Sequence, residues 1–244
     1  MANWSDPRMT AAPRPTVVGT REAAFDAGLR SYMLSVYNYM ASGVLLTGIV
    51  AMLFVNTAFG LSMLANPAIR LVLMIAPLGV VLAMSFGVNR MSESTIKTLF
   101  WVYAVLMGVS LSSILLVYTG SSVAQTFFAT AVAFGSLSLY GYTTKRDLAP
   151  FGAFMMMAVF GLIAAMLINM FVKSSGMELI ISAVGVLLFA GLTAFDTQRI
   201  KSGYFAVRGT AYAGKSAVMG ALTLYLDFIN MFLFLLRFMG NQRN

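Results

Sequence analysis

The chain has 244 residues, of which 59% are hydrophobic and 10% charged, and its mean hydropathy is +0.84. That leaves too little polar surface to cover a water-soluble domain, so the chain is read as an integral membrane protein. It has no cysteine and no histidine, which excludes disulfides, thiol or histidine-triad catalysis, haem ligation and the usual zinc and copper sites.

Residues 1–30 carry Pro7, Pro13, Pro15, Arg8, Arg14 and Arg21 and lack the apolar core of a cleavable signal peptide. They are expected to form a flexible cytoplasmic tail, and residues 31–244 a single transmembrane domain. A bilayer core of about 30 Å requires about 20 apolar residues per helical crossing. Seven such runs are present, at about 33–55, 70–88, 99–118, 124–143, 151–172, 178–198 and 217–238. The first is too long for a signal h-region and is kept as a span. Ser92, Ser94, Thr95 and Glu93 suit the start of the third span as caps, and Pro150 suits the start of the fifth. Gly43, Gly48, Gly108, Gly135, Gly161, Gly185 and Gly191 are positions where helices can approach closely. The predicted fold is an all-α integral membrane protein of seven transmembrane helices; if the first six pack as a ring or two triplets, the seventh is the natural central helix, which suits a span carrying a buried carboxylate.

The net charge of +8 would suggest a nucleic-acid partner in a soluble protein, but here it follows topology. Of the 16 Lys and Arg residues, twelve fall on the tail and alternate joints; only Arg70, Lys173, Arg237 and Arg243 fall on the other side. The positive-inside rule then places the amino terminus in the cytoplasm and the carboxyl terminus outside. The expected partner is the lipid bilayer and not nucleic acid. Short loops and the absence of sorting motifs fit a bacterial inner membrane.

Two aspartates, Asp196 and Asp227, interrupt the last two apolar runs. A carboxylate at mid-bilayer costs about 2.5–3.5 kcal/mol on insertion scales, so it faces a bundle interior or a wet cavity and needs a partner. On the seventh span Gly220, Thr223, Asp227 and Asn230 recur at helical spacing as one polar stripe, and Thr193, Asp196 and Arg199 form a similar line on the sixth. These spans are consecutive and antiparallel, so the stripes can meet, and each aspartate can partner the other. Two readings of Asp196 stay open: an intrahelical pair with Arg199 near a helix end, or a pair with Asp227. The depths match only if the sixth helix continues past Ile200 towards Gly203. Arg90, at the end of the second span, is either an interfacial anchor or a charge partner for the aspartates. Two close carboxylates titrate as a unit, which makes them a pH sensor. Ca²⁺ neutralises such a pair too, and with only two acids it would bind transiently, as a permeant ion competing with protons, with no cofactor tightly bound.

The run Leu222-Thr223-Leu224-Tyr225-Leu226-Asp227-Phe228-Ile229-Asn230-Met231-Phe232, followed by Leu235-Leu236-Arg237, resembles the carboxyl-terminal signature of the Bax inhibitor-1 family, also called the transmembrane Bax inhibitor motif family. Phe195-Asp196-Thr197-Gln198 is similar to its sixth-span motif. The resemblance implies six helices around a central seventh and a pH-sensitive Ca²⁺ leak, in which Asp196 and Asp227 form the proton-sensing pair and an arginine of the second helix, here Arg90, latches the closed state. It also implies links to stress and cell-death control in eukaryotes. Some bacterial members resemble partners or modulators of a membrane-bound ATP-dependent protease.

An intramembrane aspartyl protease would carry Gly-x-Gly-Asp at its second acid, whereas Leu224-Tyr225-Leu226 precedes Asp227. A retinal protein needs a lysine in its last helix, and residues 217–238 have none. The expectation is therefore a non-enzyme: a carboxylate-gated Ca²⁺ leak, with a non-conducting scaffold or protease modulator as the alternative.

Overall fold

The computed structural model describes residues 17–243, with side chains from Ala27 onward. Its helices are α1 (Val17–Val55), α2 (Ala58–Ala65), α3 (Pro67–Gly87), α4 (Glu93–Leu111), α5 (Ile114–Val117), α6 (Gly120–Thr143), α7 (Ala149–Val172), α8 (Ser175–Val207) and α9 (Ala213–Met239). Seven segments are long and apolar enough to cross a membrane, with α4 and α5 together forming the third. The chain is an all-α, seven-span membrane protein. Residues 1–16 of the predicted tail lie outside the described residues, and α1 is helical from Val17.

Each helix start has a local cause. Thr57, Asn66, Ser92, Thr119 and Ser174 accept backbone N–H bonds at the first turns of α2, α3, α4, α6 and α8. Pro67 and Pro150 occupy early positions of α3 and α7, where no N–H is needed. The third span breaks after Leu111 because the Ser112 and Ser113 hydroxyls turn back to the carbonyls of Val109 and Ser110, at 2.5 and 3.0 Å. The first joint contains α2, whose eight residues are too few to cross a bilayer.

The seventh span, α9, is the axis. Two-thirds of its apolar window (67%) is buried, against 44% for α8 and 28% or less for every other span. It packs on α1, α4, α6 and α8, while α3 leans on α4 and α7 on α8 as an outer tier. Lipid tails are as apolar as leucine, so close packing and interhelical hydrogen bonds hold such a bundle together. Phe100 and Tyr103 meet Tyr225 of α9 edge to face, and Phe134 meets Phe228 of α9 likewise, with Tyr103 and Tyr225 centroids 5.2 Å apart and Phe134 and Phe228 5.5 Å apart. The Thr47 hydroxyl donates to the carbonyl of Ala104 at 2.9 Å, so the Tyr225 hydroxyl, 2.7 Å away, is the donor to Thr47; α1, α4 and α9 are tied at one buried point. Gly43, Gly108, Gly185 and Gly191 lie against neighbouring helices, whereas a side chain at Gly48, Gly135 or Gly161 would meet open space.

The two ends of the bundle differ in charge. At one end Gln198 touches the joint after α6 and Lys201 the last turn of α6, and Tyr212 reaches Asn89 after α3; this end carries Arg90, Lys145, Arg146, Arg208 and Lys215. At the other end the carboxyl-terminal residues pair with the α5–α6 joint through an antiparallel bridge between Tyr118 and Gln242. Lys173, Glu178 and Arg237 line one pocket there.

Candidate functional site

The α8 helix has 33 residues and is therefore about 50 Å long, more than the bilayer requires, and it runs past Ile200 to Val207. That continuation sets the depth of its acid. Asp196 lies 11 residues, about 17 Å, from the basic end of α8, and Asp227 lies 14 residues, about 21 Å, from the basic end of α9. Both are buried, at 5% and 4% exposure. Their carboxyl groups are within hydrogen-bonding contact of each other. The structure brings the two aspartates together.

The cation at the pair is Arg199, one turn along α8, with a guanidinium nitrogen 3.0 Å from Asp196 Oδ1. The N–H bonds do not point at that oxygen: Asp196 Oδ1 and Asp227 Oδ2 have no hydrogen-bond partner among the described residues. The contact is thus an ion pair by distance without an aligned hydrogen bond. Arg199 also stands 5.6 Å over the Phe195 ring, which holds its planar group at the rim of the site. Both readings of Asp196 coexist, since it faces Arg199 on its own helix and Asp227 on the next. Arg90 is not at the pair. It is exposed in the turn after α3 and makes no ion pair among the described residues.

The supporting stripe is present but turned inward on its own helices. Thr193 donates to the Phe189 carbonyl at 2.8 Å, Thr223 to Met219 at 3.2 Å and Asn230 to Leu226 at 2.9 Å. Each bond lowers the cost of a polar group in an apolar span without reaching the acids. No group of three or more His, Cys, Asp or Glu side chains occurs among the described residues, so the pair offers a cation two carboxylates and no cage.

The sequence reading missed the hub around the pair. Consecutive helical residues point about 100° apart, so the run Phe195 to Arg199 covers every side of α8. Phe195 fills the space that Gly152 leaves on α7. Thr197 is 2.9 Å from the Ser138 hydroxyl of α6, which is 2.6 Å from the Tyr37 hydroxyl of α1. Gln198 accepts from the Leu148 N–H and donates to the Arg146 carbonyl, both at 2.8 Å. Lys201 donates to the Tyr142 carbonyl at 2.6 Å and lies over its ring. Gly141 lets the Ala194 carbonyl come so close that no side chain fits between them. Five polar or aromatic residues in succession inside an apolar span were the available signal, because a helix needs protein neighbours on most of its sides to satisfy them, with Arg199 alone left exposed.

Comparison with known proteins agrees with this architecture. The sequence profile of the family described as inhibitor of apoptosis-promoting Bax1 matches residues 29–244. The chain is 47% identical to the uncharacterized protein RP147 of Rickettsia prowazekii over 225 residues, covering 92% of this chain and 95% of that protein. It is 45% identical to the inner membrane protein YbhL of Escherichia coli over 220 residues, covering 89% and 94%, and 43% identical to an uncharacterized protein of Caulobacter vibrioides over 234 residues, covering 91% and 93%. A match running from α1 to the carboxyl terminus, through both aspartate motifs, is a match to the whole transmembrane fold, and the chain belongs to the Bax inhibitor-1 family.

Proposed function

We propose that this chain is a pH-sensitive Ca²⁺ leak channel of a bacterial inner membrane, gated by Asp196 and Asp227, with no catalytic role of its own. The observation that carries the reading is the contact between two buried carboxyl groups at matched depth on the two most enclosed helices, each with an oxygen that has no hydrogen-bond partner among the described residues. Two touching carboxyl groups share a hydrogen bond only when one holds a proton, so proton number and helix contact are linked there. Proton binding weakens the pair's hold on its arginine, and α8 and the outer helices then move relative to α9. Arg199 is the arginine at the pair in this structure; Arg90 serves as the latch if α3 shifts towards it. Ca²⁺ and protons compete for the same oxygens, and two carboxylates suit a passing ion better than a stored one. The basic end is taken as cytoplasmic, by the positive-inside rule, and the inner membrane follows the printed description of YbhL.

The test is Ca²⁺ uptake into proteoliposomes with a trapped indicator, comparing the wild type and Asp227→Asn at acidic and alkaline pH. The reading requires a flux that rises at acidic pH and loses its pH dependence in Asp227→Asn. Asp196→Asn and Arg90→Ala should each raise flux at alkaline pH by weakening closure; tighter closure in both would contradict the mechanism. A second reading, a non-conducting scaffold or protease modulator, is supported by the outer face of α1. Ser31, Asn38 and Ser42 are exposed there along a groove bordered by Trp101, a surface that a second membrane helix can hydrogen-bond. Flux no greater than that of empty liposomes at any pH selects this second reading.

A further inference from the structure

At the end of the bundle away from the basic joints, α1 and α6 part. The Tyr37–Ser138 bond joins them nearer the basic end, and they share no extensive contact elsewhere. Between them opens a cleft of 640 Å³, within the roughly 300–1,000 Å³ of ligand-binding clefts. Its walls include Ala51, Leu111 and Phe127, and Phe228 and Phe232 of the central helix line it too. The cleft therefore reaches from the lipid-facing surface to the residue next to Asp227.

Its polar side chains are nearly all engaged. Thr47 is held by Ala104 and Tyr225, and Asn56 donates to the Met52 carbonyl at 2.7 Å. The exception is Arg243. Its backbone N–H is fixed to the Val117 carbonyl at 2.8 Å, the residue lies at the cleft wall, and its guanidinium has no ion-pair partner among the described residues. An apolar cavity of this kind does not hold water, and unfilled it forfeits the dispersion contacts of its walls. Inside a bilayer the apolar molecule at hand is an acyl chain, and the anionic group at the end of such a chain is a phosphate, which a guanidinium binds with charge-assisted hydrogen bonds. We infer that this cleft is a phospholipid site, with one acyl chain between α1 and α6 against Phe228 and Phe232 and the lipid phosphate on Arg243. The site stands independently of what the aspartate pair conducts.

Gly48 supplies the test. It lines the cleft, and a side chain built there meets nothing within 4 Å, so leucine enters the cleft instead of clashing with a neighbour. Leucine also favours the helix more than glycine does, which protects the fold. The delipidated full-length protein in detergent is titrated with palmitoyl-oleoyl phosphatidylglycerol, and separately with the matching diacylglycerol that lacks the phosphate, and bound lipid is counted by native mass spectrometry. The wild type is expected to hold one phosphatidylglycerol, at least about tenfold tighter than the diacylglycerol. Gly48→Leu is expected to lose it, and Arg243→Gln to bind the two lipids alike. Equal retention in the wild type and Gly48→Leu, or no tight lipid on the wild type, overturns the site. Equal affinity of the wild type for the two lipids overturns the phosphate assignment without the need for any variant.

Discussion

The ion pair at the aspartates joins two partners in unlike surroundings, and this makes its two halves unequal under mutation. The Arg199 side chain is 53% exposed and the Asp196 side chain 7%, at 3.0 Å. Removing the arginine strands a buried carboxylate beside a second one; removing the carboxylate leaves a guanidinium that solvent and the Phe195 ring already accommodate. Breaking a fully buried pair from one side costs about 3–5 kcal/mol, whereas an exposed pair is worth about 0–1 kcal/mol. With one partner on each side of that divide, Arg199→Gln is expected to destabilise the bundle by about 1–3 kcal/mol while Asp196 is ionised, and Asp196→Asn by less than about 1 kcal/mol. The latter loss is further offset because neutralising Asp196 relieves its repulsion of Asp227. The cost of Arg199→Gln must also depend on pH. The stranded charge disappears when Asp196 takes up a proton, so the penalty is largest at alkaline pH and fades as the pH falls. Thermal unfolding of the detergent-solubilised full chain across pH measures both effects. Equal destabilisation by the two variants, or a penalty for Arg199→Gln that stays flat with pH, would refute the reasoning.

Three further outcomes follow from the packing. Thr47→Val leaves the Tyr225 hydroxyl without its acceptor and should cost about 1–2 kcal/mol, and adding Tyr225→Phe should cost little more, so a double-mutant cycle that shows strict additivity would dissolve the link between α1 and α9. Gly141→Val forces α6 away from the Ala194 carbonyl and stretches the Ser138–Thr197 bond, and a loss of about 1–3 kcal/mol or more in the same unfolding assay is expected; wild-type stability would mean that the approach is looser than it looks. Gln198→Ala removes both bonds to the α6–α7 joint, and hydrogen exchange at the Leu148 amide should accelerate while α9 amides stay protected.

The seven spans were legible because each is a run long enough to span the bilayer, and the predicted boundaries fall short of the observed ones mostly where amphipathic ends continue the helix beyond the apolar core. The sixth span shows this best. Hydropathy stops at Gln198, yet α8 runs to Val207 because Lys201 and Tyr204 find partners on α6 and α1. The central place of the seventh span was legible only through the family resemblance and as a natural place for the odd span with its carboxylate; the burial of α9 shows it. The break at Ser112–Ser113 and the short helix α2 were not, because both depend on single hydroxyl bonds within stretches that hydropathy reads as uniform or as a joint. Arg199 was legible as a partner of Asp196 from its i, i+3 spacing, whereas the position of Arg90 along the chain does not say whether it reaches the aspartates. What separates them is that i and i+3 on one helix are always neighbours, whereas a contact from α3 to α9 needs the outer tier to close on the inner one.

That distinction bears on how a pH signal would leave the site. The run from Phe195 to Arg199 touches α7 through Phe195, α9 through Asp196, α6 through Thr197 and the α6–α7 joint through Gln198. A change in the separation of the two carboxyl groups therefore acts on one turn of α8 to which three other elements are already bonded. Because those bonds radiate from a single turn, α8 cannot shift against α9 without pulling on Ser138 and on the loop at 146–148. Cutting the connections at Thr197 and Gln198 while leaving both aspartates intact separates sensing from transmission: Thr197→Val with Gln198→Ala should preserve proton uptake by the pair, and any flux should lose its coupling to pH. Flux that kept its full pH dependence in that double variant would show that the signal does not leave through Thr197 and Gln198.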